Sequence, residues 1–364
     1  MIIYILGETS FLAKNFYIYL KKYYNEIYLI NYRNITYLKN IKEDDVLINF
    51  CGVNRANNWE DYNKGNSMFL KKILNTIKAE PYFLHISSYM IYGFKDKPID
   101  TLSDYQKWFI KSKLEGENYL KNSYSREKLC IIHPTNIYGY NCIPYYNNIV
   151  STLIYEKITK KNIINKINKN CIRNILSISG FCSKLYEMIE NRVFGSYNII
   201  SNNNISLKEL VEYVHNTTPL NIEYFEGEYD EMNRDILDNT IIVEENIVDN
   251  IRTLENNMRV YLELKEQVIV SKPDILSQPR GVMVEISNLN SKRLYKITLA
   301  CHAVRGNHFH YKQIEEFFTN RGHALYLLSH KDNPDIIYII KMEENTLLKI
   351  QPNIIHTLTN DYID

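Results

Sequence analysis

The sequence predicts a parallel α/β domain followed by a smaller all-β domain. From residue 1 to about 200, short β-branched runs alternate with segments of helical length, as in βαβ units and a doubly wound parallel sheet. From about Val268, close-spaced strands with turns between them indicate a β-barrel or sandwich. A chain of 364 residues also suits two domains better than one. We expect domains at 1–245 and 265–364, joined by a helical or irregular connector at 246–264.

Individual elements follow from the same patterns. Strands are expected at residues 2–6, 27–30, 46–50, 82–87 and 129–133, and helices at 12–23, 64–78 and 111–122. In the second domain, Gly, Pro and Asn place turns at 278–281, 320–322 and 332–334.

Composition limits the classes of partner. The 43 basic and 42 acidic residues give no electrostatic reason to expect nucleic acid or an anionic membrane. The six cysteines stand far apart without a C-x-x-C pair, which argues against a disulfide framework and a cysteine zinc site. No apolar run approaches the roughly 20 residues of a membrane span, and the first six residues lead into a glycine turn, as a strand does. We expect a cytoplasmic protein.

A glycine turn follows the first predicted strand. The segment Gly-Glu-Thr-Ser-Phe-Leu-Ala at 7–13 puts small residues at the three places where backbone approaches a pyrophosphate or a helix packs on a strand. After the second strand, Asn31 stands near Arg33, where a fold that prefers NAD usually carries an acid. Arginine suits a 2′-phosphate, so this pattern favours NADPH.

Four further motifs follow in order, at 51–55, 87–93, 112–117 and 133–139. Together with the glycine turn they resemble the extended short-chain dehydrogenase/reductase family, whose members bind nucleotide sugars. The Gly-Val-Asn-Arg segment at 52–55 and the Pro-Tyr-Tyr-Asn-Asn segment at 144–148 resemble a narrower group, the CapF-type bifunctional enzymes of capsular polysaccharide synthesis. The resemblance covers about the first 200 residues.

This resemblance implies roles for individual residues. Ser88 would hydrogen-bond the substrate carbonyl, and Lys113 would bind the nicotinamide ribose. The nucleotide sugar would be held by Asn136, Asn147 and Arg173. The cofactor, NADP(H), would contact Gly7, Ser10, Phe11, Leu12, Arg33, Cys51, Gly52, Val53, Lys113 and His133.

One position departs from the family pattern. The family uses Tyr-x-x-x-Lys, in which a phenol acidified by the lysine protonates the alkoxide formed by hydride transfer. Four residues before Lys113 stands Phe109, which has no proton to give. Three explanations remain open: natural loss of reductase activity, a deliberate substitution, or replacement by another phenol such as Tyr105.

The second domain contains a candidate metal site. His308 and His310, two apart on a strand, point to the same face, and Glu315 on the next strand can turn toward it. A late Pro-x-x-x-His motif adds His356. Three imidazoles and a carboxylate suit zinc, manganese, iron or nickel in Lewis-acid chemistry, and zinc is our first expectation.

The Arg-Gly-Asn-His-Phe-His segment at 305–310 resembles the cupin barrels of CapF-type enzymes and of sugar-nucleotide ketoisomerases. The full resemblance implies C3 epimerisation in a cupin jelly roll and NADPH-dependent C4 reduction in the Rossmann domain, acting on a UDP-2-acetamido-2,6-dideoxy-4-hexulose. Only eight residues follow His356, so a partner subunit completes the barrel, as in a homodimer, or the barrel ends open. Two alternatives are a cupin epimerase or ketoisomerase with a silent Rossmann domain, and an NADPH-binding sensor or scaffold without turnover.

Overall fold

The computed structural model divides the chain into two compact units, Met1–Met258 and Arg259–Asp364. The division falls inside a helix that occupies the stretch predicted as the connector. The described residues are 1–94, 97–161, 163–164, 166–215, 222–227, 230–231, 239–272, 275–278, 281–284, 297–300, 303–360 and 362–363. No helix in these described ranges is long and apolar enough to cross a membrane.

The first unit alternates strands and helices. Its strands are β1 (Ile3–Leu6), β2 (Ile27–Ile30), β3 (Val46–Asn49), β4 (Tyr82–Ile86), β5 (Leu129–Pro134), β6 (Asn136–Tyr138), β7 (Lys166–Asn168), β8 (Cys171–Ser177), β9 (Gly195–Ser201), β10 (Asn204–Ser206), β11 (Glu223–Phe225), β12 (Asp230–Glu231) and β13 (Thr240–Val243). The helices are α1 (Phe11–Leu20), α2 (Trp59–Asn63), α3 (Phe69–Thr76), α4 (Asp104–Ser123), α5 (Ile149–Thr159), α6 (Ile178–Glu190), α7 (Leu207–His215) and α8 (Ile247–Glu266).

Seven strands of this unit form a parallel sheet in the order β13-β9-β5-β4-β3-β1-β2. Every residue of β1, β3, β4 and β5 is buried, as expected for strands covered by helices on both faces. Because β2 and β3 lie on opposite sides of β1, the winding direction changes at β1. Open α/β sheets bind ligands outside the carboxyl ends of the strands at such a point.

Two helical predictions need correction. The expected helix at 64–78 is α2 and α3 joined by a π-helical segment, Lys64–Met68. Gly65 lies in that segment, where a Cβ would come within 2.2 Å of Val53 Cγ2, so close packing against the strand-end loop accounts for the irregularity. The helix expected at 111–122 begins seven residues earlier, because Ser103 and Gln106 form a capping box.

The second unit is built from antiparallel sheets, so the predicted fold class is confirmed for both parts of the chain. Its strands are β14 (Val268–Ser271), β15 (Ile275–Gln278), β16 (Gly281–Val284), β17 (Val304–His308), β18 (Glu315–Thr319), β19 (Ala324–His330), β20 (Asn333–Met342), β21 (Thr346–Ile350), β22 (Ile354–Thr359) and β23 (Tyr362–Ile363). One sheet has the order β14-β21-β18 and another the order β17-β22-β19-β20. Leu328, Met342 and Leu348 lie fully buried in the core of this unit.

Candidate functional site

The carboxyl ends of β1 and β3 approach each other closely at Gly7. This glycine has φ +101°, and a Cβ on it would lie 3.2 Å from the backbone nitrogen of Cys51. The Cys51 N–H donates to Asn49 Oδ1 at 3.0 Å, which fixes the chain as it leaves β3. Only glycine adopts this backbone conformation without strain, so the turn keeps the edge of the sheet open to a ligand.

Lys113 reaches this edge from α4. A Cβ at Gly52 would lie 2.8 Å from Lys113 Nζ, so the missing side chain makes room for the ammonium group. Lys113 is 5 % exposed, and burial lowers its pKa from 10.5 to about 8. The predicted lysine therefore lies beside Gly52, in the loop that follows β3.

Phe109 lies one helical turn before Lys113, and its ring centroid is 5.9 Å from Lys113 Nζ. Phe109 belongs to an apolar cluster whose other buried members are Tyr62, Phe94, Leu102 and Ile110. Tyr105 also lies on α4, but it is 54 % exposed and its ring packs against Trp108. The position that the resemblance assigns to the phenol thus holds a buried phenyl ring.

The Asn66 side chain forms hydrogen bonds with the loop after β3, and the sequence did not predict this contact. Its side chain accepts from the Val53 N–H at 2.8 Å and donates to the Val53 carbonyl at 3.1 Å. It also donates to Ser112 Oγ at 2.9 Å, next to Lys113 on α4. The π-helical segment that carries Asn66 could not be recognised from apolar spacing.

A buried polar network lies one turn beyond Lys113. Glu117 is 1 % exposed, accepts from Ser87 Oγ and lies 3.0 Å from His133 Nε2. Burial alone would raise the pKa of Glu117, but the hydrogen bond and charge of His133 hold it at about 2. The sequence predicts His133 as a cofactor contact, and in the structure it lies in this network. Its contact with Glu117 connects β5 to α4.

Two predicted serines cap helices. Ser10 Oγ accepts from the Leu12 N–H at 3.2 Å and caps α1, so Phe11 and Leu12 begin that helix. Ser88 Oγ accepts from the Met90 N–H at 3.2 Å at the start of a 3-10 helix, Tyr89–Tyr92. Both serines follow a strand at the carboxyl edge of the sheet.

The predicted sugar-binding residues lie on β6, on β8 and before α5. Asn136 donates to the Asn174 carbonyl at 3.1 Å, and β6 pairs with β8, which carries Arg173. Asn147 Oδ1 accepts from the Ile143 N–H at 2.6 Å. Arg173 donates to the Ile172 carbonyl at 2.9 Å. Sugar binding by these three residues remains a prediction.

In the second unit, His308, His310, Glu315 and His356 form one cluster. Each offers a ligand atom, and these four atoms all lie within 4.8 Å of one another. Metal bonds of 2.0–2.3 Å would place the ligand atoms of one ion about 3 to 4 Å apart. The cluster is therefore close to the size that a single divalent ion requires, and small side-chain movements would bring the four atoms to bonding distance.

Backbone register brings two members of the cluster together. His308 on β17 is the register partner of His356 on β22, and their ring centroids lie 4.6 Å apart. The register shifts between Gly306 and His308, and Gly306 and Asn307 have φ +93° and +59°. This β-bulge lies just before His308, and His310 lies beyond the end of β17, so the two histidines do not alternate along one strand as the sequence predicted.

Glu315 bridges two of the histidines. Its two carboxylate oxygens lie 3.2 Å from His310 Nε2 and 3.1 Å from His356 Nε2. Burial lowers the pKa of His356, although the charge of Glu315 raises it. A lowered pKa favours the neutral imidazole, which is the form of histidine that binds metal.

Comparisons with known proteins support the Rossmann-type fold. No protein-family model and no curated protein sequence matches the chain. Among solved structures, MoeE5 in complex with UDP-glucose and NAD has a TM-score of 0.58 and 15% identity over 72% of this chain and 100% of its own. UDP-glucuronic acid 4-epimerase from Bacillus cereus with NAD has a TM-score of 0.55 and 15% identity over 71% of this chain and 99% of its own.

A dTDP-4-dehydrorhamnose reductase from Clostridium acetobutylicum has a TM-score of 0.51 and 18% identity over 73% of this chain and 100% of its own. The chain thus shares a Rossmann-type fold with these three proteins. At these identities the likeness extends to the fold alone.

Proposed function

We propose that this protein is a two-domain nucleotide-sugar enzyme whose C-terminal unit is a metal-dependent C3-epimerase. In the proposal, the N-terminal unit binds NADPH and reduces C4 of the same UDP-2-acetamido-2,6-dideoxy-4-hexulose. The observation that carries the proposal is the four-residue cluster, whose ligand atoms lie within 4.8 Å of one another. The resemblance to CapF-type enzymes supports this pair of reactions. The UDP-glucose and NAD bound by MoeE5, and the NAD bound by the 4-epimerase, support a nucleotide-sugar substrate and a nicotinamide dinucleotide.

The C-terminal reaction follows from the chemistry of the ligand set. A C4 ketone acidifies the proton on C3, and a bound divalent cation supplies Lewis acidity that stabilises negative charge on the ketone oxygen. The four side chains would hold and orient that cation. His308 is exposed whereas His356 is buried, so the cluster opens to solvent on one side. A substrate can approach from that side.

The N-terminal reaction depends on residues at the sheet edge. Gly7 and Gly52 have no side chains, so the backbone there can lie close to a bound dinucleotide. NADPH would supply a hydride when bound. Lys113 would hold the nicotinamide ribose, and Ser88 the substrate carbonyl. The alkoxide formed at C4 also needs a proton, and Phe109 cannot donate one.

A second candidate function follows from that deficiency. The apolar cluster around Phe109 favours an N-terminal unit that holds cofactor or substrate with little turnover. In that case the C-terminal unit works alone as an epimerase or ketoisomerase.

Product analysis separates the candidates. The protein is incubated in D₂O with a UDP-4-keto-6-deoxy-N-acetylhexosamine, with and without NADPH, and followed by NMR. We expect deuterium at C3 in both samples and slow formation of a 4-hydroxy sugar only with NADPH. A metal-loaded protein that does not accelerate exchange above the protein-free rate would contradict the epimerase role. Absence of any 4-hydroxy product would favour the second candidate.

A further inference from the structure

A carboxylate lies beside Asn31, a position at which the sequence itself has no acidic residue. Glu8 follows Gly7 at the end of β1, and its carboxylate accepts a hydrogen bond from Asn31 Nδ2. Asn31 is the first residue after β2, near the place where a fold that prefers NAD usually carries its acid. The neighbouring strand thus brings a carboxylate to the end of β2.

The same asparagine connects Glu8 to the backbone of a cationic residue, Arg33. Asn31 Oδ1 accepts from the Arg33 N–H at 2.9 Å. The Arg33 guanidinium lies 5.4 Å from the ring centroid of Tyr32, and its Nε donates to the Tyr32 hydroxyl at 3.0 Å. Arg33 is exposed, whereas Glu8 is half-buried. The Asn31 amide therefore links the Glu8 carboxylate to the backbone of Arg33 at the carboxyl end of β2, while Tyr32 holds the Arg33 guanidinium.

These opposite charges act differently on the two nicotinamide dinucleotides. NADPH differs from NADH by a 2′-phosphate on the adenosine ribose, which an arginine attracts and a carboxylate repels. A half-buried carboxylate is screened less by water than an exposed one, so its repulsion persists at ordinary ionic strength.

We propose that Glu8 is a specificity-determining residue of the dinucleotide site, acting against the 2′-phosphate that Arg33 favours. This inference rests on the proposed function, in which the N-terminal unit binds a nicotinamide dinucleotide. The Glu8 carboxylate would limit the preference for NADPH that Arg33 alone would give. Glu8→Gln keeps the size of the side chain and an acceptor for Asn31 while removing the charge.

Binding measurements on the full chain test the inference. NADH and NADPH are titrated separately by calorimetry into the unmodified protein and into the Glu8→Gln, Arg33→Gln and Glu26→Gln variants. We expect Glu8→Gln to raise the preference for NADPH about tenfold, and Arg33→Gln to lower it by a similar factor. Glu26→Gln is the matched control, because exposed Glu26 precedes β2 at the opposite edge of the sheet. It should leave the preference unchanged.

The possible results distinguish a failure of this inference from a failure of the proposed function. If the unmodified protein binds both dinucleotides and Glu8→Gln leaves the ratio of the two Kd values unaltered, the inference is wrong and the proposed cofactor stands. If the unmodified protein binds neither dinucleotide, the proposed role of the N-terminal unit and this inference both fail.

Discussion

His308 and His356 pair across β17 and β22, and a bulge at Gly306 sets the register that brings them together. The bulge needs glycine for two reasons. Gly306 has φ +93°, and a Cβ on it would lie 2.3 Å from the carbonyl oxygen of His356. No rearrangement of a flexible side chain can relieve a clash with backbone.

Gly306→Ala should therefore weaken metal binding. The added methyl group must push β17 away from β22 and move His308 out of the cluster, which we expect to lower metal affinity at least about tenfold. Gly322→Ala is the matched control, since Gly322 has φ +72° but no atom lies within 4 Å of its Cβ position. That change should cost about 1 to 2 kcal/mol of stability and keep the metal. Equal metal affinity in both variants would show that the bulge does not organise the site.

The buried network around Glu117 should contribute strongly to stability. Glu117→Gln leaves His133 and Ser87 with a neutral partner, and disrupting such a buried hydrogen-bonded network costs about 1 to 3 kcal/mol. Glu115→Gln on the same helix is the control, because its contact with Lys111 is exposed and worth about 0 to 1 kcal/mol. Urea unfolding measures both changes. Similar values for the two variants would contradict a structural role for the network.

Burial of Lys113 predicts a dependence of stability on pH. Its pKa is about 8 in the folded chain against 10.5 for an exposed lysine. The cost of burying the charged amine is present in full below pH 8 and is lost as the pH rises from 8 to 10.5, because the unfolded chain then binds more protons. Lys113→Met, which removes this cost, should stabilise the protein by up to about 3 kcal/mol at pH 7.

The gain in free energy of unfolding from Lys113→Met should shrink between pH 8 and pH 10. Urea unfolding of both proteins across this range measures the difference directly. An advantage that stays constant with pH would mean that Lys113 is not held in the charged form below pH 8.

Phe109→Tyr should restore a proton donor beside Lys113. We expect NADPH oxidation with a UDP-4-keto-6-deoxy-N-acetylhexosamine to rise by roughly 10² to 10⁴-fold, the range for general-acid catalysis. Deuterium exchange at C3 should be unchanged, since that reaction belongs to the other unit. Brisk reduction by the unmodified chain would mean that another group protonates the alkoxide, and Tyr105→Phe would then show whether Tyr105 is that group.

Sequence predicted the sheet well because apolar runs report burial directly. The five predicted strands lie within one or two residues of β1 to β5, and α4 carries Lys113 as its motif implied. Contacts that depend on exact backbone geometry were not predictable. The π-helical position of Asn66 and the bulge at Gly306 arise from packing against residues distant in sequence.

Side-chain partners from other strands also escaped sequence reasoning. Asn31 was interpreted as a position without an acid, but Glu8 supplies a carboxylate to it from the end of β1. His133 follows a predicted strand, yet only the fold shows its bond to Glu117 on α4. Pattern reasoning identifies which residues reach the sheet edge, and the topology decides which of them meet.

Metal content tests the central claim, the metal centre of the C-terminal unit, most directly. We expect elemental analysis of the purified protein, after dialysis against metal-free buffer, to find close to one divalent ion per chain. The His308→Ala, His310→Ala double variant should lose that ion. His330→Ala should keep it, because His330 is not one of the four ligand residues and contacts Asp332 instead. Equal metal content in the unmodified protein and the double variant would contradict the account.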